Sequence, residues 1–303
     1  MIFKNLRGEV KLNEPMSGHT SFRIGGPADV LVLPADREDL TAVIAQAREK
    51  GLPFMVIGGG TNLLVKDGGI RGVVVSLAKM SALSITRSYR SVGGAFAEIS
   101  AEAGAGLPQL LSFTVEQGLT GLEYATGIPG TVGGAVCMNA GTAQGEIGDV
   151  IDTVTLLSPE GDVVTRQRDE MAFGYRTAAV PPDHVIVEVR IVLRHGERDA
   201  IKARVRELQE SRKKRQPWGL PNAGSVFKNP LDEAAGKLIE TAGLKGLTVG
   251  RAQISEKHAN VIVNLGGARA ADVLKLVSVV KERVLEVHKI RLELEIKVVG
   301  EDA

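Results

Sequence analysis

Residues 57 to 65 read IGGGTNLLV, and Gly58, Gly59 and Gly60 stand at the end of the strand-like PFMVI. An ordinary core strand has no use for three consecutive positions without side chains. Bare backbone of this kind serves where several N–H groups converge on an anion, or where a ligand must come within contact distance of the main chain. A second glycine-dense segment, GIPGTVGGAVCMNAG, runs from Gly127 to Gly141. One such cluster could merely turn the chain. Two of them on neighbouring units point to a large, extended cofactor pressed against backbone from both sides.

The common phosphate loops do not account for either segment. A P-loop needs Gly-Lys-Ser/Thr after its spaced first glycine, and neither GGGTNLLVKDGG nor AAGKLIE at Gly236 supplies it. The dinucleotide fingerprint GxGxxG fails as well, because Leu63 stands where its third glycine belongs. A nucleoside triphosphatase and a standard Rossmann domain are therefore both disfavoured.

Around the first loop the pattern is strand, helix, strand: ADVLVLP, then DREDLTAVIAQAREKG with Leu40, Val43, Ile44 and Ala47 on one face, then PFMVI and the β-branched GVVVSL. Asp36 or Asp39 caps the helix and Gly51 suits its end. A second unit begins near residue 82. It holds two helix-like stretches, AFAEISAEAGA and PQLLSFTVEQG, then the second glycine segment, a hairpin pattern in VIDTVTLLSPEGDVVTR, and the strand VIVEVRIVL. A polar helix, ERDAIKARVRELQESRKKRQP, with Ile201, Val205 and Leu208 at helical spacing, is ended by Pro217 and leads into a third unit. There AAGKLIETAGL and ARAADVLKLVSVVKERVLE read as helices, and ANVIVNL and IRLELEIKVVG as strands. The expected division is 1–80, 81–197 and 198–303.

Composition removes several function classes. The formal net charge is +1, so nothing in bulk draws the chain to nucleic acid or anionic lipid, and anion recognition must be local. Cys137 is the only cysteine, and the five histidines (His19, His184, His195, His258 and His288) are scattered without i, i+4 pairing, so no metal site is expected. No apolar run is long enough to span a bilayer and the N-terminus lacks a signal-peptide core. The expectation is a cytoplasmic protein with a small-molecule substrate, no membrane insertion and no obligate protein partner.

Six segments in order, SFRIGGPAD, IGGGTNLLV, GIPGTVGGAVCMNAG, FGYR, AGSVFKNP and LELEIKVVG, resemble the UDP-N-acetylenolpyruvoylglucosamine reductase family over nearly the whole chain. The resemblance implies an α+β protein: a vanillyl-alcohol-oxidase-type (PCMH-type) FAD-binding fold in two α/β subdomains, followed by a C-terminal α+β substrate domain. It implies noncovalent FAD held by Gly58, Gly59, Gly60, Thr61, Asn62 and Leu63 and by Gly127, Ile128, Pro129, Gly130, Gly133, Gly134, Asn139 and Ala140. His19 and Cys137 are then packing residues rather than flavin tethers. The implied activity is NADPH-dependent reduction of UDP-N-acetylglucosamine enolpyruvate to UDP-N-acetylmuramate in peptidoglycan precursor synthesis. Two rivals stay in view: a flavin oxidase or dehydrogenase of a 2-hydroxy acid on the same fold, and a non-catalytic flavin or nucleotide-sugar binder.

Hydride delivery to the terminal vinyl carbon leaves negative charge on the carbon bearing the ether and carboxylate. The chemistry therefore asks for a cation near that carboxylate and a proton donor near that carbon. Ser225 matches the family's proton donor, although a serine flanked by glycine is ordinarily a turn residue, and GSVF is no nucleophile elbow. Arg176 and Glu295 match the remaining catalytic pair, the first as a bidentate carboxylate binder and the second as a polarising carboxyl. Spacing alone cannot choose Glu295 over Glu293, which shares its face of the expected strand. Tyr175, Arg215, Lys228 and Asn229 are the candidates for holding the UDP-sugar. The tyrosines, Tyr89, Tyr124 and Tyr175, all precede residue 200, so the chain resembles the shorter subgroup without a tyrosine loop in the last domain.

Overall fold

The computed structural model describes residues 3–303 and begins its regular structure with β1 (Glu9–Pro15) and β2 (Pro27–Leu33). The next element, α1 (Arg37–Glu49), forms where the sequence pattern predicts it and buries Leu40, Val43, Ile44 and Ala47. Asp36 is its N-cap, accepting the N–H of Asp39 at 2.9 Å. Asp39 instead ties the N-terminal arm to the helix, its buried carboxylate accepting the N–H groups of Arg7, Gly8 and Ala35. Burial alone would raise its pKa, but those donors and the Arg7 guanidinium together hold it below the usual carboxylate value.

β3 (Phe54–Ile57), β4 (Leu63–Val65) and β5 (Ile70–Ser76) follow. β1, β2, β5 and β3 form a sheet in that order, with β3 and β5 parallel. Next come β6 (Leu83–Ser91), β7 (Gly94–Glu102), α2 (Leu107–Glu116), β8 (Leu119–Thr120), α3 (Val132–Cys137), β9 (Gly141–Thr142), β10 (Gly145–Glu146), β11 (Ile151–Leu157), β12 (Val163–Gln167) and β13 (Val185–His195). Strands β12, β11, β13, β7 and β6 make an antiparallel sheet in that order.

AFAEISAEAGA, expected as a helix, is strand β7. Its alanines suit either state, but Ala97, Ile99 and Ala101 are buried in alternation, a period of two, and β7 is paired on both edges, by β6 and β13.

The polar helix is α4 (Arg198–Arg215), followed by α5 (Ala235–Thr241), β14 (Thr248–Val249), β15 (Ala252–Ile254), β16 (Ile262–Asn264), α6 (Ala270–His288) and β17 (Lys297–Val299). IRLELEIKVVG is regular strand only at its end, where β17 pairs in parallel with β4. Upstream it makes single contacts, including a bridge from Leu294 to Phe227, so burial does not follow clean alternation: Leu292 and Ile296 are buried, while Leu294 and Glu295 are both half-buried.

The chain divides into two units, each assembled from separated stretches. Unit 1 is Met1–Lys11, Leu31–Gly59 and Val73–Arg212; unit 2 is Leu12–Val30, Gly60–Gly72 and Lys213–Ala303. The break falls inside the first glycine loop, between Gly59 and Gly60. Unit 2 has its own core, in which Phe22, Leu64, Phe227, Ile239 and Leu276 are buried together. No helix among the described residues is long and apolar enough to cross a membrane.

Candidate active site

In unit 1 the two glycine segments touch. A Cβ on Gly58 would run into the Thr131 hydroxyl, so only glycine lets the end of β3 approach the start of α3. Thr131 in turn caps α3, accepting from the Gly134 N–H. Gly127 and Gly130 lie at φ of 72° and 111°, in the region that favours glycine. Around this seam Gly59, Gly127 and Pro129 are exposed, and Gly58, Ile128, Gly130, Gly134 and Ala140 are half-buried. Gly133 is different: its N–H is donated to Ala103 at 2.8 Å, and a Cβ there would press on the Ala103 methyl at 2.9 Å. Its bare Cα serves close packing of α3 on β7's end.

Tyr175 and Arg176 form the tip of a two-residue turn. Gly174 and Thr177 exchange N–H to carbonyl bonds at 3.0 and 3.1 Å, and Arg176 takes a left-handed φ of 58°. The Arg176 guanidinium lies over the Tyr175 ring, 5.2 Å from its centroid, and donates to the carbonyl of Gly141. Tyr175 is 51% exposed.

In unit 2 the remainder of the first loop is stitched to main chain. Gly60 accepts the N–H of Ser21, and a Cβ on it would strike the His19 carbonyl. His19 itself pairs with Glu14 at 2.8 Å. Thr61 is half-buried and Leu63, the first residue of β4, is buried. Asn62 brackets the C-terminal segment: its side chain donates to the Glu295 carbonyl at 3.0 Å and its carbonyl accepts the Lys297 N–H at 2.9 Å.

Ser225 and Glu295 stand on adjoining backbone. The Glu295 N–H donates to the carbonyl of Val226, one residue after Ser225, at 2.8 Å, and the Lys228 N–H donates to Glu293 at 2.9 Å. On the other side Ser225 bridges to Val261, and the Val226 N–H donates to Asn260. Asn260, buried, then uses its side-chain amide like a strand, accepting the Phe227 N–H at 3.0 Å and donating to the Phe227 carbonyl at 2.8 Å. Ser225 is thus part of a segment held from both edges, after Gly224 at a φ of 72°.

The two glutamates differ in exposure. The Glu293 side chain is 79% exposed and pairs loosely with Lys228 at 3.6 Å, whereas Glu295 is half-buried. Of the proposed sugar-nucleotide residues, Lys228 directly follows this segment. Asn229 is exposed, and its side-chain oxygen accepts the Ala235 N–H at the start of α5. Arg215 is exposed at the end of α4.

Sequence reasoning missed Asn260 and the supporting half of Asn62's role. Neither has a spacing signal, because both act by pairing with main chain far away in sequence. No group of His, Cys, Asp and Glu side chains suited to a metal ion occurs among the described residues.

Comparison with known proteins bears on the whole chain. Residues 28–166 match a family model described as an FAD binding domain, and residues 216–299 match one described as UDP-N-acetylenolpyruvoylglucosamine reductase, C-terminal domain. A UDP-N-acetylenolpyruvoylglucosamine reductase of Syntrophus aciditrophicus is 45% identical over 97% of this chain and 93% of that protein. One of Geotalea uraniireducens is 43% identical over 98% of this chain and 96% of that protein. The crystal structure of the reductase from Thermus caldophilus superposes with a TM-score of 0.82 at 38% identity, covering 98% of this chain and 100% of that one. Matched end to end by such relatives, the chain belongs to the UDP-N-acetylenolpyruvoylglucosamine reductase family.

Proposed function

We infer that this chain is an FAD-dependent oxidoreductase that uses NADPH to reduce UDP-N-acetylglucosamine enolpyruvate to UDP-N-acetylmuramate, a peptidoglycan precursor. The observation that carries the reading is the backbone pairing of the Ser225 segment with the Glu295 segment. Two residues 70 positions apart in sequence, both matched to catalytic roles, are joined through the Glu295 N–H and the Val226 carbonyl.

Support for a flavin comes from the exposed glycine backbone at Gly59 and Gly127, on two segments that the packing of Gly58 against Thr131 brings together. Gly58 to Leu63, with Gly127, Ile128, Pro129, Gly130, Gly134 and Ala140, would hold the cofactor, which when bound supplies a two-electron carrier between NADPH and the vinyl group; Gly133 and Asn139 of the same segment are engaged within the protein, the first against Ala103 and the second through its side-chain amide. Arg176 binds the substrate carboxylate and stabilises the charge that develops on it. Ser225 gives its hydroxyl proton to the carbon next to the carboxylate. Glu295 polarises the enol through a hydrogen bond, and Tyr175, Arg215, Lys228 and Asn229 hold the UDP-sugar. The division of labour at 1–80, 81–197 and 198–303 belongs to this proposal, supported by the FAD-domain match within the first two segments and the reductase-domain match within the third. So does a cytoplasmic location.

The test is an anaerobic visible spectrum of the FAD-loaded protein, reduced with one equivalent of NADPH and then mixed with UDP-N-acetylglucosamine enolpyruvate. Bleaching followed by one fast phase of recovery is the expected result. Recovery only on admitting oxygen would favour an oxidase of the same fold, and absence of any flavin binding would overturn the reading.

A further inference from the structure

Asn139 lies in the second glycine segment, yet its side chain is wholly buried and fully engaged within the protein. Its amide nitrogen donates to Glu146 Oε1 at 2.6 Å and to the Gly174 carbonyl at 3.1 Å, and its oxygen accepts the Gly148 N–H at 3.0 Å. A primary amide has two N–H donors, so none remains for a ligand. The backbone at Asn139 is also committed, at a left-handed φ of 40° with its N–H on the Val136 carbonyl.

The Gly174 carbonyl is the base of the turn that carries Tyr175 and Arg176, and it also accepts the Thr177 N–H. Asn139 therefore grips that turn at its closing pair, while two residues further along the same segment the Gly141 carbonyl receives the Arg176 guanidinium. The grip has little slack. A Cβ on Gly148 would meet Asn139 Oδ1 at 3.0 Å and the Phe173 ring at 2.9 Å, and the Gly148 carbonyl is held by Arg168 Nε at 2.6 Å.

We propose that Asn139 is a positioning residue: its side chain fixes the Tyr175–Arg176 turn to the second glycine segment and so sets where the Arg176 guanidinium meets the substrate carboxylate, rather than touching the cofactor. The assignment rests on the role given to Arg176 above.

The experiment compares the two half-reactions of the FAD-loaded Asn139→Ala enzyme by stopped flow, with product affinity measured by calorimetry. FAD content and reduction by NADPH stay at wild-type values, while reoxidation by the enolpyruvyl substrate slows by up to about 10²-fold, the scale of a catalytic group misplaced by an ångström. In an Arg176→Ala background the same substitution changes reoxidation by no more than about twofold, because the group it positions is gone. Loss of FAD, an equal slowing of both half-reactions, or full retention of its effect in the Arg176→Ala background would overturn the assignment. Should Asn139→Ala not fold, Glu146→Ala removes one of the amide's partners at a half-buried site, and the same split at smaller size is expected; slowing of the NADPH step alone would contradict it. A wild-type protein that the substrate cannot reoxidise would instead count against the functional reading itself.

Discussion

The two halves of the candidate chemistry are built differently. In unit 2, Ser225 and Glu295 sit on segments joined by main-chain hydrogen bonds, with Asn260 pairing to Phe227 from the opposite edge and Asn62 bracketing Glu295 to Lys297. In unit 1, Arg176 sits at the tip of a two-residue turn, at a left-handed φ, beside an exposed tyrosine. The first arrangement holds the proposed proton donor in a strand-like frame. The second holds the proposed carboxylate-binding cation on a short turn tied to the buried Asn139 amide and to the Gly141 carbonyl. A proton must be delivered along a defined line to one carbon, whereas a guanidinium binds a carboxylate through a fork that tolerates adjustment, so the stiffer support falls where the geometry is more exacting.

Substitutions can break that comparison. The largest expected effect is from Ser225→Ala: single-turnover reoxidation by substrate falls by about 10²–10⁴-fold, the usual worth of a general acid, with reduction by NADPH unchanged. An equal loss in both half-reactions would mean that Ser225 supports the fold and not the proton transfer. Glu295→Gln and Glu293→Gln sharpen the same side. The first lowers kcat; the second leaves it within error, because an exposed pair such as Glu293 with Lys228 is worth only about 0–1 kcal/mol. Equal effects would contradict the choice of Glu295 over Glu293.

Asn260→Ala strands the buried N–H and carbonyl of Phe227, each costing about 1–3 kcal/mol when left unpaired. Chemical denaturation should register that loss, together with slower reoxidation; unchanged stability would show that the frame does not depend on this amide. The smallest effect belongs to a control away from both halves. Asp39 has its pKa held down in the folded state, so its stabilisation is present above the unfolded value of about 4 and disappears as pH falls. Asp39→Asn should lower the thermal midpoint at neutral pH, with the gap to wild type closing in acid and both half-reactions intact. A gap that widened toward low pH would contradict the assigned direction.

Much of this was legible in sequence because it rests on local chemistry. The cap at Asp36, the apolar face of α1, the hairpin of β11 and β12 and the two glycine segments all declare themselves within a few residues. β7 did not, since its alanines satisfy helical and strand periods alike and only the strands on either side decide. The different burial of Glu295 and Glu293 was not legible either, because an irregular stretch replaces the expected alternation. Asn62, Asn139 and Asn260 were invisible in their supporting roles, because an asparagine that pairs with main chain 33 to 233 residues away leaves no periodicity behind.

The most direct test is a crystal structure of the FAD-loaded protein with UDP-N-acetylmuramate. Ser225 Oγ and the Arg176 guanidinium are both expected about 3 Å, hydrogen-bond distance, from the lactyl group beside the flavin ring, with Glu295 in contact with the same group. Ser225 bound far from the ring, or Arg176 turned away from the carboxylate, would contradict that placement.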